Sequence, residues 1–413
     1  MKRKIGVLSL GCPRNLVDSE NILSRLLNKG YEIVDIDKAQ VALVNTCAFI
    51  KEAKEESIGV ILDLIDFKKQ GKVDKIIVYG CLAQRYKYAL SKEFPEVDAF
   101  IGRVSLDAGI SGFTLTPNHY AYLKICEGCI NLCSFCIIPK IKGKLSSLPV
   151  DSILSKVDAF DRQGISELNI VGQDITGFGI DLKPRTSLEK LLKEIIKKSR
   201  HIGWIRLLYL YPERLSVELL KIIRDEGKIC KYIDLPVQHI NNRILRLMNR
   251  RTSRYRILRL IDRIRKIIPD VALRTSIIVG FPGETDKEFK ELLMFVKNIK
   301  FERLGAFRYS REEGTRAYGL PGRVPEEVKS IRFNQIMSCQ QEVSRLVNNR
   351  FMGKKIKVLV DECTNDGYLG RTQFDAPEVD GLVYIQSDRR LYPGDFVNVK
   401  IKDTLEYDLV GEV

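Results

Sequence analysis

Short runs of β-branched and apolar residues alternate with helical patterns along most of the sequence, and such alternation is typical of parallel α/β sheets. Over residues 1–102 the runs are Lys4–Ser9, Val41–Asn45 and Lys75–Tyr79, and each is followed by a stretch with helical periodicity. A second alternation, between residues 119 and 348, contains six candidate strands. Six β/α units predict an open, partial barrel rather than a closed barrel of eight strands.

The pattern changes after residue 350. From Phe351 onward the sequence consists of short segments of alternating polarity separated by turns such as Asn365-Asp366-Gly367, which predicts a small all-β barrel of the oligonucleotide-binding type. Residues 103–118 are rich in glycine and turn formers, which indicates a linker. We therefore expect an α/β chain with an N-terminal parallel α/β domain at 1–102, a partial (β/α)6 barrel at 119–348 and a β-barrel at 351–413.

Composition narrows the class of protein. No apolar stretch approaches the roughly 18 residues that span a bilayer, so we expect no membrane protein. The basic run Lys2-Arg3-Lys4 precedes only six apolar residues, fewer than the roughly 7–15 of an export signal, and the chain is predicted to be cytoplasmic. Because thiols stay reduced there, the ten cysteines require a metal or redox explanation. The net charge of +15 favours an acidic partner without requiring one.

Three cysteines of the first domain share one kind of position. Cys12, Cys47 and Cys81 each lie just past the carboxyl end of a predicted strand. In an open parallel sheet those ends form a single edge, where ligands bind. Each thiol also lies near the start of a helix, whose dipole favours the thiolate that binds metal. The alternative is three small buried hydrophobic residues, but recurrence at three strand ends favours a metal site.

A second set of cysteines forms a C-x₃-C-x₂-C loop after a strand: Cys129, Cys133 and Cys136. Three thiolates hold a four-iron, four-sulfur cluster and leave one iron open for a cofactor. Zinc is the main alternative, because Cys126 supplies a fourth thiolate for a closed tetrahedral site. The two resulting pairs are separated by only three residues, which is too few for two independent knuckles, so an iron–sulfur cluster is favoured.

The loop, at the opening of a partial β/α barrel, resembles that of the radical S-adenosylmethionine superfamily. In that family the open iron binds S-adenosylmethionine, and an electron from the cluster splits it to give a 5′-deoxyadenosyl radical. The resemblance implies the following cofactor contacts: Phe135, Gln173, Gln238, Arg274, Gly280 and Glu284. It implies no acid–base catalytic residue, but it does imply a low-potential electron donor.

Further motifs resemble one family within that superfamily, the methylthiotransferases. They are Ser9–Glu20, Val44–Cys47, Tyr79–Cys81, Leu235–His239, Arg308–Ser310 and the C-terminal β-domain, which is then of the TRAM type. The resemblance implies two 4Fe-4S clusters and two molecules of S-adenosylmethionine. The first cluster, on Cys12, Cys47 and Cys81, would carry the transferred sulfur. We expect the strand ends of the first domain to face the mouth of the barrel.

Two branches of this family differ in substrate. One modifies an aspartate β-carbon in small-subunit ribosomal protein twelve, either free or within the ribosome, and the other modifies adenosine in transfer RNA. The runs Cys12–Glu20, Ala376–Gly381 and Glu406–Leu409 resemble the ribosomal-protein branch. Residues 351–413 hold eight basic residues against twelve acidic ones, a net charge of −4, which suits a basic protein better than RNA. The ribosomal protein is therefore the favoured substrate, with transfer RNA as the alternative and an iron–sulfur RNA-binding protein as the non-enzymatic one.

Two further features of the sequence each have two interpretations. Ten basic residues and one acid lie between Arg243 and Lys266, which indicates either a solvated helix face or a contact with ribosomal RNA. His239 follows a predicted strand and is either a cofactor or substrate contact or a packed histidine.

Overall fold

The computed structural model describes residues 3–103 and 113–413. The middle of the predicted linker, residues 104–112, lies outside the described residues, as does Lys2 of the basic N-terminal run. Within the described ranges, no helix has the length and apolar character needed to cross a membrane.

The first domain is a parallel sheet with helices between its strands. Its elements are β1 (Lys4–Ser9), α1 (Pro13–Asn28), β2 (Glu32–Ile33), β3 (Val41–Thr46), α2 (Lys51–Lys69), β4 (Lys75–Gly80), α3 (Cys81–Glu93) and β5 (Ala99–Ile101). The strand order is β2-β1-β3-β4-β5, and every pairing is parallel. The three predicted strands are confirmed to within one residue at either end.

The central domain is an open half-barrel. Its elements are β6 (Tyr120–Lys124), β7 (Cys126–Glu127), α4 (Ile138–Ile141), β8 (Ser146–Ser147), α5 (Val150–Arg162), β9 (Glu167–Val171), α6 (Leu188–Lys198), β10 (Trp204–Leu207), α7 (Val217–Asp225), β11 (Tyr232–Asp234), α8 (Asn242–Leu247), α9 (Arg254–Ile267), β12 (Ala272–Val279), α10 (Asp286–Ile299), β13 (Arg303–Arg308) and α11 (Glu326–Asn348). Two parallel sheets, β10-β9-β6 and β11-β12-β13, supply six strands. Ile205 of β10 pairs with Ile229, just before β11, and this brings the two sheets side by side. The partial barrel is confirmed.

The C-terminal domain is a closed barrel. Its strands are β14 (Lys355–Thr364), β15 (Gly367–Thr372), β16 (Val383–Gln386), β17 (Phe396–Thr404) and β18 (Leu409–Glu412), in the order β14-β15-β16-β18-β17. Side chains alternate between buried and exposed along β16 and β17, as expected for strands with one face toward a core. The predicted small β-barrel is confirmed.

Buried arginines join this C-terminal barrel to the first residues of the half-barrel strands. Arg206 and Arg371 both pair with Glu167, the first residue of β9, at 2.8 and 2.7 Å. Arg303, the first residue of β13, pairs with Asp375. Asp375 of the C-terminal barrel is therefore neutralised inside the molecule, and so is the barrel's own cation Arg371, so these two pairs remove one charge of each sign from the part of the barrel that faces solvent.

Helix α1 joins the first domain to the half-barrel. Val17 on this helix is buried in the same apolar cluster as Tyr120 and Tyr122 of the edge strand β6. Leu359 and Ala376 of the C-terminal barrel belong to that cluster too. The interior of the half-barrel is thus closed by a helix from one neighbouring domain and by loops and strands from the other.

Candidate active site at the strand ends of the half-barrel

A cavity of about 300 Å³ opens at the carboxyl ends of the half-barrel strands. Gln173 follows β9, Tyr209 follows β10 and Gln238 follows β11, and all three line the cavity together with the last residues of β12 and β13. The carboxyl ends of parallel strands are where α/β barrels place their active sites. The predominantly apolar wall with a few polar groups is typical of a small-molecule site.

The C-x₃-C-x₂-C loop forms one wall of this cavity. Cys129, Cys133 and Cys136 all line it. Burial raises the pKa of the Cys129 thiol, and burial together with the neighbouring Cys133 raises the pKa of Cys136 to about 12. Neutral thiols crowded in a buried wall become stable thiolates when a bound metal supplies positive charge.

The described residues offer no preformed site for a single metal ion: no three His, Cys, Asp or Glu side chains among them converge closely enough to hold one. Cys126 does not line the cavity: its sulfur is buried 3.8 Å from the Asp174 carbonyl oxygen. The four-thiolate zinc alternative therefore has no support in the structure.

The first domain gathers its three cysteines at one edge of its sheet. Cys12 precedes helix α1 as its N-cap, Cys47 follows β3, and Cys81 is the first residue of α3. Gly11 has a φ of +91°, and a Cβ atom there would lie 2.8 Å from Cys47 Cβ and 3.1 Å from its sulfur. Glycine is therefore required for the close approach of Cys12 and Cys47.

The three thiols of the first domain have different ionisation. Burial raises the pKa of Cys47, and it raises the pKa of Cys81 to about 12. Burial also acts against ionisation of Cys12, but the Arg14 guanidinium and the backbone N–H groups of Asn15 and Arg14 together outweigh it and lower the Cys12 pKa. Cys12 is thus the one thiol of the three that its surroundings make easier to ionise.

Arg14 connects the two cysteine sets. Its Nε donates a hydrogen bond to the Cys12 sulfur at 3.4 Å, and a terminal nitrogen donates to the Gly172 carbonyl oxygen of the half-barrel at 3.1 Å. The guanidinium lies 4.5 Å from the centre of the Tyr209 ring and lines the cavity beside Cys136, whose thiolate it also stabilises. The strand ends of the first domain therefore face the mouth of the half-barrel, as the sequence predicts.

Three of the six predicted cofactor contacts line the cavity. Phe135 and Gln173 do so, and the side-chain carbonyl oxygen of Gln173 is buried without a hydrogen-bond donor among the described residues. Gln238 also lines the cavity, and its φ of +70° is unusual for a residue with a side chain. An orphaned buried acceptor is costly unless a ligand supplies a donor, so these residues fit a polar cofactor.

The other three predicted contacts lie behind the wall. Arg274 is held between Asp234, at 3.1 Å, and Asp380 of the C-terminal barrel, at 3.5 Å, and does not line the cavity. Gly280 donates its backbone N–H to Glu284 at 3.0 Å, and Arg332 pairs with the same carboxylate at 2.7 Å. The structure places these three residues among supporting ion pairs rather than at the cavity surface.

Arg250 lines the cavity although the sequence marks it only as one of ten clustered cations. It is 6% exposed, its guanidinium lies 4.4 Å from the centre of the Tyr211 ring, and its Nε has no hydrogen-bond partner in the described part of the chain. It is a buried cation available to an anionic group of a ligand. A charge count does not separate this residue from its exposed neighbours.

His239 is a packed histidine. Its ring is fully buried, Nδ1 accepts a hydrogen bond from the Asn241 backbone at 3.0 Å, and Nε2 lies 3.7 Å from Glu284. Burial lowers its pKa from the ordinary 6.5 to about 3. The cofactor-contact interpretation of His239 has no support, because the ring does not line the cavity.

The buried ring of His239 predicts a pH dependence of stability. Between pH 3 and 6.5 the unfolded chain binds a proton that the folded chain excludes, so this residue's contribution to stability falls as the pH falls. We expect the difference in unfolding free energy between wild type and His239→Gln to change by about 1.4 kcal/mol per pH unit in this window. Urea titrations of both proteins at several pH values measure it, and parallel pH profiles would contradict the assignment.

Three family models match successive parts of the chain. Residues 123–296 match the Radical SAM superfamily, residues 4–102 match Uncharacterized protein family UPF0004, and residues 352–413 match the TRAM domain. The ribosomal protein uS12 methylthiotransferase RimO of Clostridioides difficile (strain 630) is 44% identical over 99% of this chain and 98% of its own length. The protein of the same name from Caldanaerobacter subterraneus subsp. tengcongensis is 44% identical over 99% of this chain and 100% of its own.

A solved structure shares the fold at low sequence identity. It is the radical S-adenosylmethionine methyltransferase TsrM from Kitasatospora setae, solved with cobalamin and a 4Fe-4S cluster bound. The TM-score is 0.54 and the identity 12%, with 75% of each chain covered.

Proposed function

The chain belongs to the family of ribosomal protein uS12 methylthiotransferases, and from this we propose that it is a radical S-adenosylmethionine enzyme that transfers a methylthio group to ribosomal protein uS12. We extend the proposal to the acceptor atom, the β-carbon of an aspartate. The observation that carries it is one cavity lined by Cys129, Cys133 and Cys136, into which Arg14 reaches while bonded to Cys12.

Two 4Fe-4S clusters are part of the proposal. Cys129, Cys133 and Cys136 would hold the one that binds S-adenosylmethionine, and Cys12, Cys47 and Cys81 would hold the second. The presence of two separate sets of three thiols supports a count of two clusters. Three thiolates bind three irons of a four-iron cluster, so each cluster would keep one iron without a protein ligand. Arg14 would stabilise the negative charge of the second cluster, since its guanidinium already lies against Cys12 and attracts Cys136.

The proposed reaction replaces hydrogen on an unactivated carbon by sulfur. Positioned proton transfer contributes about 10²–10⁴-fold, which is insufficient for a C–H bond without an acidic proton. When bound, the clusters and S-adenosylmethionine supply the radical and the sulfur that the reaction needs. The protein's own residues would orient these groups and exclude water: Phe135, Tyr209 and Tyr211 form apolar walls, and the half-buried Arg14 and the buried Arg250 would face anionic groups.

We propose that Phe135, Gln173 and Gln238 contact S-adenosylmethionine directly. Arg274, Gly280 and Glu284 would support the cofactor site from behind, through the ion pairs and hydrogen bonds described above. The orphaned acceptor of Gln173 supports its assignment, because an N–H donor of bound S-adenosylmethionine would satisfy it.

Removal of the Gln173 amide tests this contact. A hydrogen bond contributes about 0.5–1.5 kcal/mol, so Gln173→Ala should weaken S-adenosylmethionine binding by about two- to tenfold. Equilibrium dialysis with reconstituted protein measures the dissociation constant. Gln386→Ala, on the surface of the C-terminal barrel, is the matched control and should bind as wild type does. Equal affinity for both variants would remove Gln173 from the cofactor site.

The substrate is tested by direct competition. Reconstituted protein, a low-potential reductant and S-adenosylmethionine are offered uS12 and transfer RNA in parallel reactions. Mass spectrometry should find a methylthio group on an aspartate of uS12 and none on the RNA. Modified RNA with unmodified protein would favour the transfer RNA alternative, and no modification with iron bound would favour the iron–sulfur RNA-binding alternative.

Three circumstances of the reaction belong to the proposal. The enzyme would act in the cytoplasm, where ribosomal proteins are made and assembled. It would take electrons from a low-potential donor, because the cluster must be reduced before S-adenosylmethionine is cleaved. It would meet uS12 free or within the ribosome, and the exposed cations of α9 would contact ribosomal RNA in the second case.

A further inference from the structure

Four charged side chains form a closed network at the joint between the first domain and the half-barrel. Asp18 bonds Lys124 through one carboxylate oxygen and Lys142 through the other, the latter at 3.0 Å. Lys142 also pairs with Glu127 at 2.8 Å, and Lys124 lies 3.9 Å from the same carboxylate. Each of the four side chains is at most 5% exposed.

The network connects both cysteine sets through short stretches of chain. Asp18 is the only member from the first domain, and it lies on α1, which begins directly after Cys12. At 1.5 Å per residue the helix holds Asp18 about 9 Å along its axis from Cys12. On the other side, Glu127 lies two residues before Cys129, and Lys142 lies six residues after Cys136.

Stability alone does not account for such a network. Burying a charge is costly, and a buried ion pair is often no better than an apolar replacement. The apolar contacts of Val17 with Tyr120 and Tyr122 already hold the domains together, but apolar contacts have little directional preference. A carboxylate bonded by a different lysine at each oxygen has one orientation. This joint therefore fixes the rotation of α1 about its axis and its position along that axis relative to the half-barrel.

We propose that Asp18, Lys124, Glu127 and Lys142 form a positioning joint that sets the separation of the two cysteine sets, and thereby couples cleavage of S-adenosylmethionine to sulfur transfer. This inference rests on the proposed function, because it assigns one reacting centre to each set. The four residues are positioning residues, since none of them lines the cavity.

The joint predicts a specific fault when it is broken. Cleavage of S-adenosylmethionine depends mainly on groups that belong to the half-barrel, with Arg14 as the contribution from α1, so most of it should continue. Sulfur transfer also needs the first domain in place, and a misplacement of about 1 Å costs about 100-fold. The ratio of methylthio product to deoxyadenosine should therefore fall by about 100-fold, whereas a general loss of folded protein would lower both in proportion.

Two variants break the joint. Asp18→Asn leaves the two lysines facing a single carboxylate, and the uncompensated buried charge destabilises the folded protein. The double variant Asp18→Asn with Lys142→Met retains Lys124 and Glu127, so the buried charge stays balanced while the ion pairs between the domains are lost. Asp375→Asn is the matched control, because it makes the same change in a buried ion pair with Arg303 at the other domain boundary.

A measurement without clusters tests the geometry by itself. Tyr88 on α3 and Tyr255 on α9 are 84% and 65% exposed, one in each domain, and accept spin-labelled unnatural amino acids. Pulsed electron resonance on the full-length apoprotein should give one narrow distance for wild type and for Asp375→Asn. The double variant should give a broadened or shifted distribution.

The outcomes separate the two proposals. A double variant with the wild-type distance, or with the wild-type product ratio, would overturn the positioning joint, and so would an equal fall in the ratio for Asp375→Asn. If wild-type protein gives no methylthio product at all, the proposed function fails. In that case an unchanged distance in the double variant would overturn the joint as well. A changed distance would show that the four residues still set the relative position of the two domains.

Discussion

Cys129→Ala should abolish deoxyadenosine formation and, with it, all methylthio transfer. The thiol lines the cavity with Cys133 and Cys136, and its loss leaves two thiolates for a cluster that needs three. Changes to residues around metal ligands already lower metal affinity or activity by about 10–100-fold, so loss of a ligand itself should lower activity further. The iron content should fall from about eight to about four per chain, since the other cluster remains.

The measurement pairs iron analysis with chromatography of the nucleoside products after anaerobic reconstitution. Cys363→Ala is the control, because this thiol is exposed on the C-terminal barrel, far along the chain from both sets. It should retain the iron content and both products of the wild type. Deoxyadenosine from Cys129→Ala at the wild-type rate would contradict the assignment of this loop.

Cys12→Ala should separate the two activities, with deoxyadenosine formation retained and methylthio transfer lost. Deoxyadenosine should still form, because the cysteine loop of the half-barrel and the cavity residues Phe135 and Gln173 are untouched. Methylthio transfer should fall by more than about 100-fold, since the proposed second cluster would lose a ligand and Arg14 would lose its sulfur partner. The iron content should again fall to about four.

The two cysteine variants together decide how many clusters the enzyme uses. Iron content and the two products are measured on the same preparations, so that incomplete reconstitution is visible. Equal loss of deoxyadenosine in Cys12→Ala and Cys129→Ala would mean that the sets act as one centre. Full methylthio transfer by Cys12→Ala would mean that the first set is structural.

The sequence predicts the strands of the first domain, the half-barrel and the C-terminal barrel because each depends on local periodicity. Lys4–Ser9 is a strand in the pattern and in the structure alike, since β-branched residues and a following helix suffice to define it. The gathering of Cys12, Cys47 and Cys81 is also predictable, because it follows from parallel pairing alone.

Contacts between domains are what the sequence does not reveal. Arg14 lies two residues after Cys12, which is the only hint of its role, and its bond to Gly172 depends on how the first domain packs against the half-barrel. Arg274 shows the reverse: it belongs to a strand that lines the site, but Asp380, more than a hundred residues later, draws it into an ion pair. The sequence alone does not reveal that the Arg274 side chain pairs with Asp380 instead of lining the cavity.

The attachment of the C-terminal barrel has a consequence for how a protein substrate is engaged. Arg206, Glu167 and Arg303 anchor that barrel where the half-barrel strands start, whereas the cavity lies where they finish. A strand of six residues spans about 20 Å, so a small molecule in the cavity cannot also contact the C-terminal barrel at the strand starts. A substrate that contacted both the C-terminal barrel and the cavity would have to extend over at least this distance, so a segment shorter than about six residues would reach only one of the two.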